Sequence, residues 1–598
     1  MSAEAQFNQA LALLRAGRGA EALALAQRLL PKHPSNAALN HLLAMVHLSQ
    51  GRADQAEYFA QRATELTPRD ASAWSTLGAA QNAQKKSAQA ERAFARATEL
   101  KPDLPAAWAG LGRARAMQRE NPGARVAFER ALALAPAHFD ARVNAARLTL
   151  DSGRPEDAGA HVRALEASLP ERDVSPGVLT ARLLTCTTLN YDPDCAAEVI
   201  AQAHRRLGRA YALAFPERPM TPRTPHAPLR SPVRVGLMSP DLRGHSCSFF
   251  VEPLLAHHDP ERVALFAYHT SDLSDRVTER LRALLPEGRF RDVHGLGDDA
   301  LTELIRADEL DVLIDLAGCT VGHRLGVLAR RAAPIQATYL GYPNTTGLAT
   351  MDYRLVDALT DPPGEADALS VEKLVRLDPC FLCFVPPRDA PEPALPAEDA
   401  PITFASFNRL PKVNSRALEL WSRVMHATPG SRLMVKSVGL DAPSLQSDLL
   451  ARLASLGIAP ERVELAPATA TPAEHLALYA RVHVALDTFP YNGTTTTCDT
   501  LHMGVPVVAL ASPEPRHAAR VGLSLLSAAG LPELIAHTPE DFVRLASALA
   551  QDRARLARYR ASLRGQLAAS ALGDARAFAG RFFEAIASLS PRAEEPPR

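Results

Sequence analysis

The chain has 598 residues, more than one hydrophobic core organises, so about three or four domains are expected. Apolar residues make up 47% and charged residues 22%, and 66 Lys and Arg balance 66 Asp and Glu, so no net basic charge is present to draw nucleic acid. No run of eighteen apolar residues occurs, and the opening MSAEAQFNQAL lacks the basic and apolar regions of a secretory signal. No membrane partner is expected, and the cytoplasm is the expected compartment. Seven scattered cysteines suit a reducing environment. Cys380 and Cys383 form a CxxC without a second pair or a histidine cluster, and are read as buried thiols.

Residues 1–170 repeat. Prolines recur every 34 residues at Pro34, Pro68, Pro102, Pro136 and Pro170, the tetratricopeptide period. In the same register stand Ala22, Ala56, Ala90, Ala124 and Ala158, and a second small column of Ala10, Ala44, Gly78, Gly112 and Ala146. Trp74, Leu77 and Gly78 form the W-x2-L-G opening, Trp108, Leu111 and Gly112 repeat it, and Phe94 and Phe128 fill the second-helix position. Five helix pairs are predicted to stack into an α-solenoid whose groove takes protein or peptide acceptors. The same array could pair two copies of the chain. Asn8 and Asn144 share a register, but Leu42, Thr76 and Gly110 stand between them, so no continuous asparagine ladder lines the groove.

Residues 171–215 read as further helices, and Pro216 to Pro232, with six prolines in seventeen residues, marks a boundary. From Val233 short β-rich runs alternate with helical stretches: VRVGLMS, ALFAYHT, VLIDLAG and IQATYLG. Pro386 to Pro401 holds six more prolines, and ITFASFN, RLMVKSV, VELAPA, VHVALDT and PVVALAS follow. Two Rossmann-like parallel-sheet halves are therefore expected, 233–400 and 401–590, after a helical and proline-rich linker at 171–232, a pattern that other two-domain α/β enzymes share. Loops at the strand ends would meet across a cleft.

The strongest local feature is Asp487 to Asp499, DTFPYNGTTTTCD, a strand exit followed by a helix start. Thr494 to Thr497 would offer backbone N–H groups and hydroxyls where a diphosphate is favoured, and Asp499 a carboxylate for ribose hydroxyls. An ordinary capped helix would read the same way. In SFNRLPK, Lys412 would neutralise a leaving diphosphate, with Asn408 beside it. Asp298-Asp299 is read as part of a loop rather than as a magnesium site, so no metal is expected. In SPDLRGHSCS, His245 follows the opening strand and would take or orient an acceptor proton. Leu340-Gly341 follows another strand and would let backbone approach a sugar.

These motifs together resemble the protein O-GlcNAc transferases and their SPINDLY relatives. The resemblance runs from the repeats through VRVGLMSPDLRGHSCSFF and APIQATYLGYPNTTGLATMDYRLVD to FASFNRLPKVN and DTFPYNGTTTTCDTLHMGVPVV. It implies the two-Rossmann GT-B fold behind the repeats. It also implies an inverting, metal-independent transfer of N-acetylglucosamine from UDP-GlcNAc, as co-substrate rather than cofactor, to protein Ser/Thr. Position by position it implies His245 as the active-site histidine, Lys412 on the diphosphate, His475 against the base, and Thr495 and Thr496 on phosphate. Asp499 would hold the ribose, while Leu340 and Gly341 would line the sugar pocket. Animal members carry a histidine where this chain has Thr494, and a long insertion between the halves. The departures, with YPNTTGL, FLCF and TTTTCD, resemble the bacterial and plant SPINDLY type and leave GDP-fucose, or an adaptor without activity, as alternatives.

Overall fold

The 34-residue period builds antiparallel helix pairs, seen in a computed structural model that describes residues 2–219 and 229–591. Helices Ala37–Ser49 and Ala53–Leu66, then Ala71–Ala83 and Ser87–Leu100, then Pro105–Met117 and Asn121–Leu134 follow in register, after Ala3–Arg15 and Gly19–Leu29. Asn36 and Asp70 start their helices by accepting backbone N–H groups on their side chains. The alanine and small-residue columns are buried throughout. A Cβ on Gly78 would lie 2.7 Å from the Phe94 ring, and one on Gly112 2.7 Å from Phe128, so these two pairs close only over glycine. Each repeat tryptophan donates its indole N–H to a period proline's carbonyl, Trp74 to Pro68 at 3.0 Å and Trp108 to Pro102 at 2.8 Å.

The chain divides into two compact units, Met1–Asp151 and Ser152–Arg598. The period would end the repeats at Pro170, but the unit boundary falls inside the fifth pair. Helix Pro155–Ser168 packs on the next helix, Pro176–Leu189. Arg154 also binds Asp448 at 2.5 Å, and Glu156 accepts the N–H of Ser415 at 2.8 Å. Helix Ala197–Ala214 completes this helical segment. The proline-rich stretch expected at Pro216 to Pro232 lies for the most part outside the described residues.

Within the second unit, the first sheet comprises β1 (Val233–Ser239), β2 (Val263–His269), β3 (Phe290–Asp292), β4 (Val312–Asp315), β5 (Ile335–Thr338), β6 (Tyr353–Val356) and β7 (Lys373–Arg376). Their order is β3-β2-β1-β4-β5-β6-β7, all parallel. The second sheet comprises β8 (Thr403–Ser406), β9 (Arg432–Lys436), β10 (Val463–Ala466), β11 (Val484–Leu486), β12 (Val507–Leu510) and β13 (Ile535–Ala536), in the order β10-β9-β8-β11-β12-β13, also parallel. Central strands such as β2 and β12 are buried along their whole length, which is why their sequences are continuous apolar runs. Asp298-Asp299, expected in a loop, instead opens helix Asp298–Ala307, with Asp298 paired to Arg324 and Asp299 to Arg330. Acidic residues at a helix start complement its dipole.

Chain order reverses direction between β1 and β4 in the first sheet and between β8 and β11 in the second, and a crevice opens at the carboxyl ends of strands at such a point. The final helix, Ala575–Ala587, does not stay with the second sheet but packs on helix Ser248–His257 of the first. Phe582 meets Tyr339 at 5.2 Å between ring centroids, and Ser590 accepts the Tyr353 hydroxyl at 2.8 Å.

Candidate active site

Each crevice loop leaves one of these central strands. After β11 the chain turns at Asp487, whose buried carboxylate accepts Thr488 N–H at 2.8 Å and Gly493 N–H at 2.7 Å. Asn492 side-chain N–H donates to Thr488 O at 2.8 Å and closes the loop. Helix Thr495–His502 then begins with Thr494 as its cap. Thr497 returns its hydroxyl to Gly493 O at 3.1 Å, while Thr494, Thr495 and Thr496 remain half-buried at a helix end whose first N–H groups have no intrahelical acceptor.

Lys412 follows β8 and reaches this turn, donating to Asn492 O at 2.7 Å with its ammonium 4.3 Å from the Tyr491 ring centroid. Burial brings its pKa down to about 8, and Asp487, though attractive, does not offset that. Burial likewise pushes Asp487 up to about 6. Asn408 bridges Ser406 and Asp487 at 3.3 and 3.5 Å. Asn408, Asp487, Tyr479 and Thr496 line one cavity.

His475 sits on the short helix Pro472–Ala477, which a Thr471–Glu474 capping box starts. Its Nδ1 lies 2.8 Å from Lys436 Nζ at the end of β9, and its Nε2 3.8 Å from Asp499 Oδ2. The lysine donor makes Nδ1 the acceptor, which leaves the proton on Nε2, facing Asp499. Burial and Lys436 lower His475 to about 4, and burial raises Asp499 to about 7. Asp499 Oδ1, Asp487 Oδ2 and Asn408 Oδ1 are buried acceptors without a protein partner. Such atoms are costly unless a ligand carrying donors meets them. Lys436 and Asp487 were not singled out from sequence; Asp487, directly at a strand exit, carried a readable signal, and Lys436 at the inner end of a strand did not.

On the first half, His245 follows β1, with Nδ1 3.5 Å from Asp241 Oδ1 and accepting Cys247 N–H at 3.3 Å. Burial lowers its pKa against the pull of Asp241, so the neutral imidazole can accept a proton. Arg409, three residues before Lys412, acts electrostatically on both His245 and Lys412. Leu340 has φ +72, in the left-handed region a bulky residue rarely occupies. A Cβ on Gly341 would lie 2.0 Å from Leu316 O. Leu340 shares a cavity with His517 of the second half.

Among the described residues, Asp241, His245 and Cys247 bring three ligand atoms within 4.8 Å of one another, a grouping that could hold a divalent ion. Arg243, 3.8 Å from Asp241, and Arg409 place positive charge against a cation there. All seven cysteines are free, and Cys380 and Cys383 are buried. Among the described residues no helix is long and apolar enough to cross a membrane.

A repeat array followed by two parallel Rossmann-like sheets with facing crevices defines the architecture of a GT-B glycosyltransferase with tetratricopeptide repeats. The chain belongs to glycosyl transferase family 41, whose model matches residues 200–385 and 392–582, while a tetratricopeptide repeat model matches residues 3–80. It is 40% identical over 398 residues to a probable UDP-N-acetylglucosamine–peptide N-acetylglucosaminyltransferase SPINDLY from Oryza sativa subsp. japonica, covering 65% of this chain and 42% of that protein. A UDP-N-acetylglucosamine–peptide N-acetylglucosaminyltransferase of Caenorhabditis elegans is 24% identical over 463 residues, 58% of this chain and 40% of that one. The chain thus spans about two fifths of the length of these curated relatives. A solved mutant O-GlcNAc transferase of Thermobaculum terrenum superposes with a TM-score of 0.67 at 31% identity, over 92% of this chain and 96% of that one.

Proposed function

We propose that the chain is an inverting, metal-independent protein O-glycosyltransferase moving N-acetylglucosamine from UDP-N-acetylglucosamine to Ser or Thr hydroxyls of proteins held by the repeats. The observation that carries this is the set of unpartnered acceptors around one helix start and the half-buried Lys412: Asn408 Oδ1 and Asp487 Oδ2, whose residues line one cavity, and Asp499 Oδ1 on the helix itself. Lys412 and the N–H groups at Thr494 to Thr496 hold the diphosphate and take up charge as the glycosidic bond breaks. Asp499 accepts from ribose hydroxyls, and His475, fixed by Lys436, stacks on the base. Neutral His245 takes or orients the acceptor proton. Leu340 and Gly341 bring backbone to the sugar.

The names of the relatives favour N-acetylglucosamine. Thr494 and the TTTTCD segment, which resemble the SPINDLY type, favour GDP-fucose as a second reading. Incubating a candidate protein with each sugar nucleotide and weighing it by mass spectrometry separates the two. Addition of N-acetylhexosamine supports the first, addition of deoxyhexose replaces it, and no addition to a panel of proteins returns the chain to an adaptor role.

A further inference from the structure

A seven-residue bend, residues 190–196, joins the two helices that precede the first sheet, and it is held from both halves of the catalytic unit. The Arg516 guanidinium, buried, donates to the carbonyls of Leu189 and Asp192 at 3.1 Å, of Asn190 at 2.5 Å and of Cys195 at 3.4 Å. Asn190 donates to the Tyr342 hydroxyl at 2.7 Å and accepts from Asn344 at 3.0 Å, which ties the bend to the loop that carries Leu340 and Gly341. His204 Nε2 meets the same hydroxyl at 2.7 Å. The bend presents one aromatic ring to the donor turn. Tyr191 lies flat against Tyr491, with centroids 4.7 Å apart and planes 12° from parallel. The Lys412 ammonium lies 4.3 Å from the centroid of that same Tyr491 ring.

We propose that Tyr191 is a positioning residue for Lys412: stacked on Tyr491, it fixes the ring against which the ammonium is held and thereby aims Nζ at the diphosphate site. A cation held by a ring and one carbonyl keeps its place only if the ring does. Tyr491 is itself fixed at its backbone, where its carbonyl accepts the Thr488 hydroxyl at 2.7 Å, but its ring plane depends on what packs against it. The stack also keeps water from Lys412, whose lowered pKa comes first from burial. The bend therefore reports to both sides of the crevice, through Asn190 to the sugar loop and through Tyr191 to the cation.

The inference rests on the assignment of Lys412 above, so the test carries both. Tyr191→Leu keeps apolar bulk without a stacking face; Tyr191→Phe keeps the face. With whichever donor the wild-type chain turns over, UDP-N-acetylglucosamine or GDP-fucose, Tyr191→Leu is expected to lower kcat about tenfold or more. It should change donor KM less, and move the alkaline limb of the pH profile upward as Lys412 becomes hydrated. Tyr191→Phe is expected to stay within about twofold of wild type with the limb unmoved. Thermal melting of both variants identifies any loss of fold, and Tyr191→Phe behaving as Tyr191→Leu would transfer the effect to the hydroxyl and overturn the stacking account. Wild-type kcat and an unmoved limb in Tyr191→Leu, with Lys412→Ala inactive, overturn this proposal alone. An active Lys412→Ala removes the role of Lys412 and the proposal with it.

Discussion

The carboxylate of Asp487 accepts the backbone N–H of Gly493 at 2.7 Å, and so the residue that follows β11 holds in place the turn that begins helix Thr495–His502. Removing that carboxylate in Asp487→Ala leaves the N–H groups of Thr488 and Gly493 unpaired in a buried place, at about 1–3 kcal/mol each. Calorimetric affinity for the nucleoside diphosphate is expected to fall about tenfold or more as the turn loosens. Unchanged affinity in a folded variant would show that the turn is held by the rest of the loop.

Lys412→Ala should abolish transfer and leave the fold intact, because one preorganised cationic donor at a developing charge contributes roughly 2.7–4 kcal/mol. Steady-state kinetics should place the loss in kcat, at about a hundredfold or more. Retention of more than about a tenth of the wild-type rate speaks against the assignment.

Activity should also fall as pH rises through about 8, where Lys412 loses its proton, instead of near its ordinary 10.5. Between those values the unfolded chain binds the proton and the native one does not, so this group makes folding more favourable as pH rises across that window. Rate and stability therefore respond in opposite directions to Lys412, and a kcat/KM profile recorded beside a melting curve distinguishes its titration from unfolding. A flat profile up to pH about 10 would contradict the protonated role.

Much of this was readable before any coordinates. The nine longer runs of β-rich sequence became strands, most of them buried on both faces and nearly continuously apolar, with the half-buried edge strand Val463–Ala466 the exception. The strands that went unread are short or polar: Phe290–Asp292, Tyr353–Val356, Lys373–Arg376 and the two-residue Ile535–Ala536. Three of them lie at sheet edges, where burial leaves little pattern. The site loops were legible as strand exits, but the pairing of Lys436 with His475 depends on two separate elements converging, and no spacing records it. Tyr191 was invisible for the same reason, since its partner ring follows it by hundreds of residues.

Treatment with EDTA should leave the rate unchanged, because Lys412 and the helix start at Thr494 to Thr496 supply the positive potential at the diphosphate. Measuring product formation before and after chelation, then after adding magnesium or manganese, checks this. A requirement for either ion would direct attention to Asp241, His245 and Cys247.

Two truncations distinguish the repeat period from the packing. A chain beginning at 152 should melt close to the full protein's catalytic transition, whereas one beginning at 171 should melt several degrees lower, because helix Pro155–Ser168 packs on Pro176–Leu189 and anchors Arg154 to Asp448. Both should lose action on protein acceptors far more than donor binding. Equal melting temperatures would put helix Pro155–Ser168 back with the repeats.

The packing of the last helix, Ala575–Ala587, on helix Ser248–His257 bears on how the molecule is made. During synthesis the first sheet emerges hundreds of residues before the helix that covers part of it. Until then the apolar surface around Tyr339 and Phe250 lacks its cover, and the second half must be made in full before the first can close. The halves are thus encoded in series but completed together, and a break near the carboxyl terminus uncovers the half that was translated earlier.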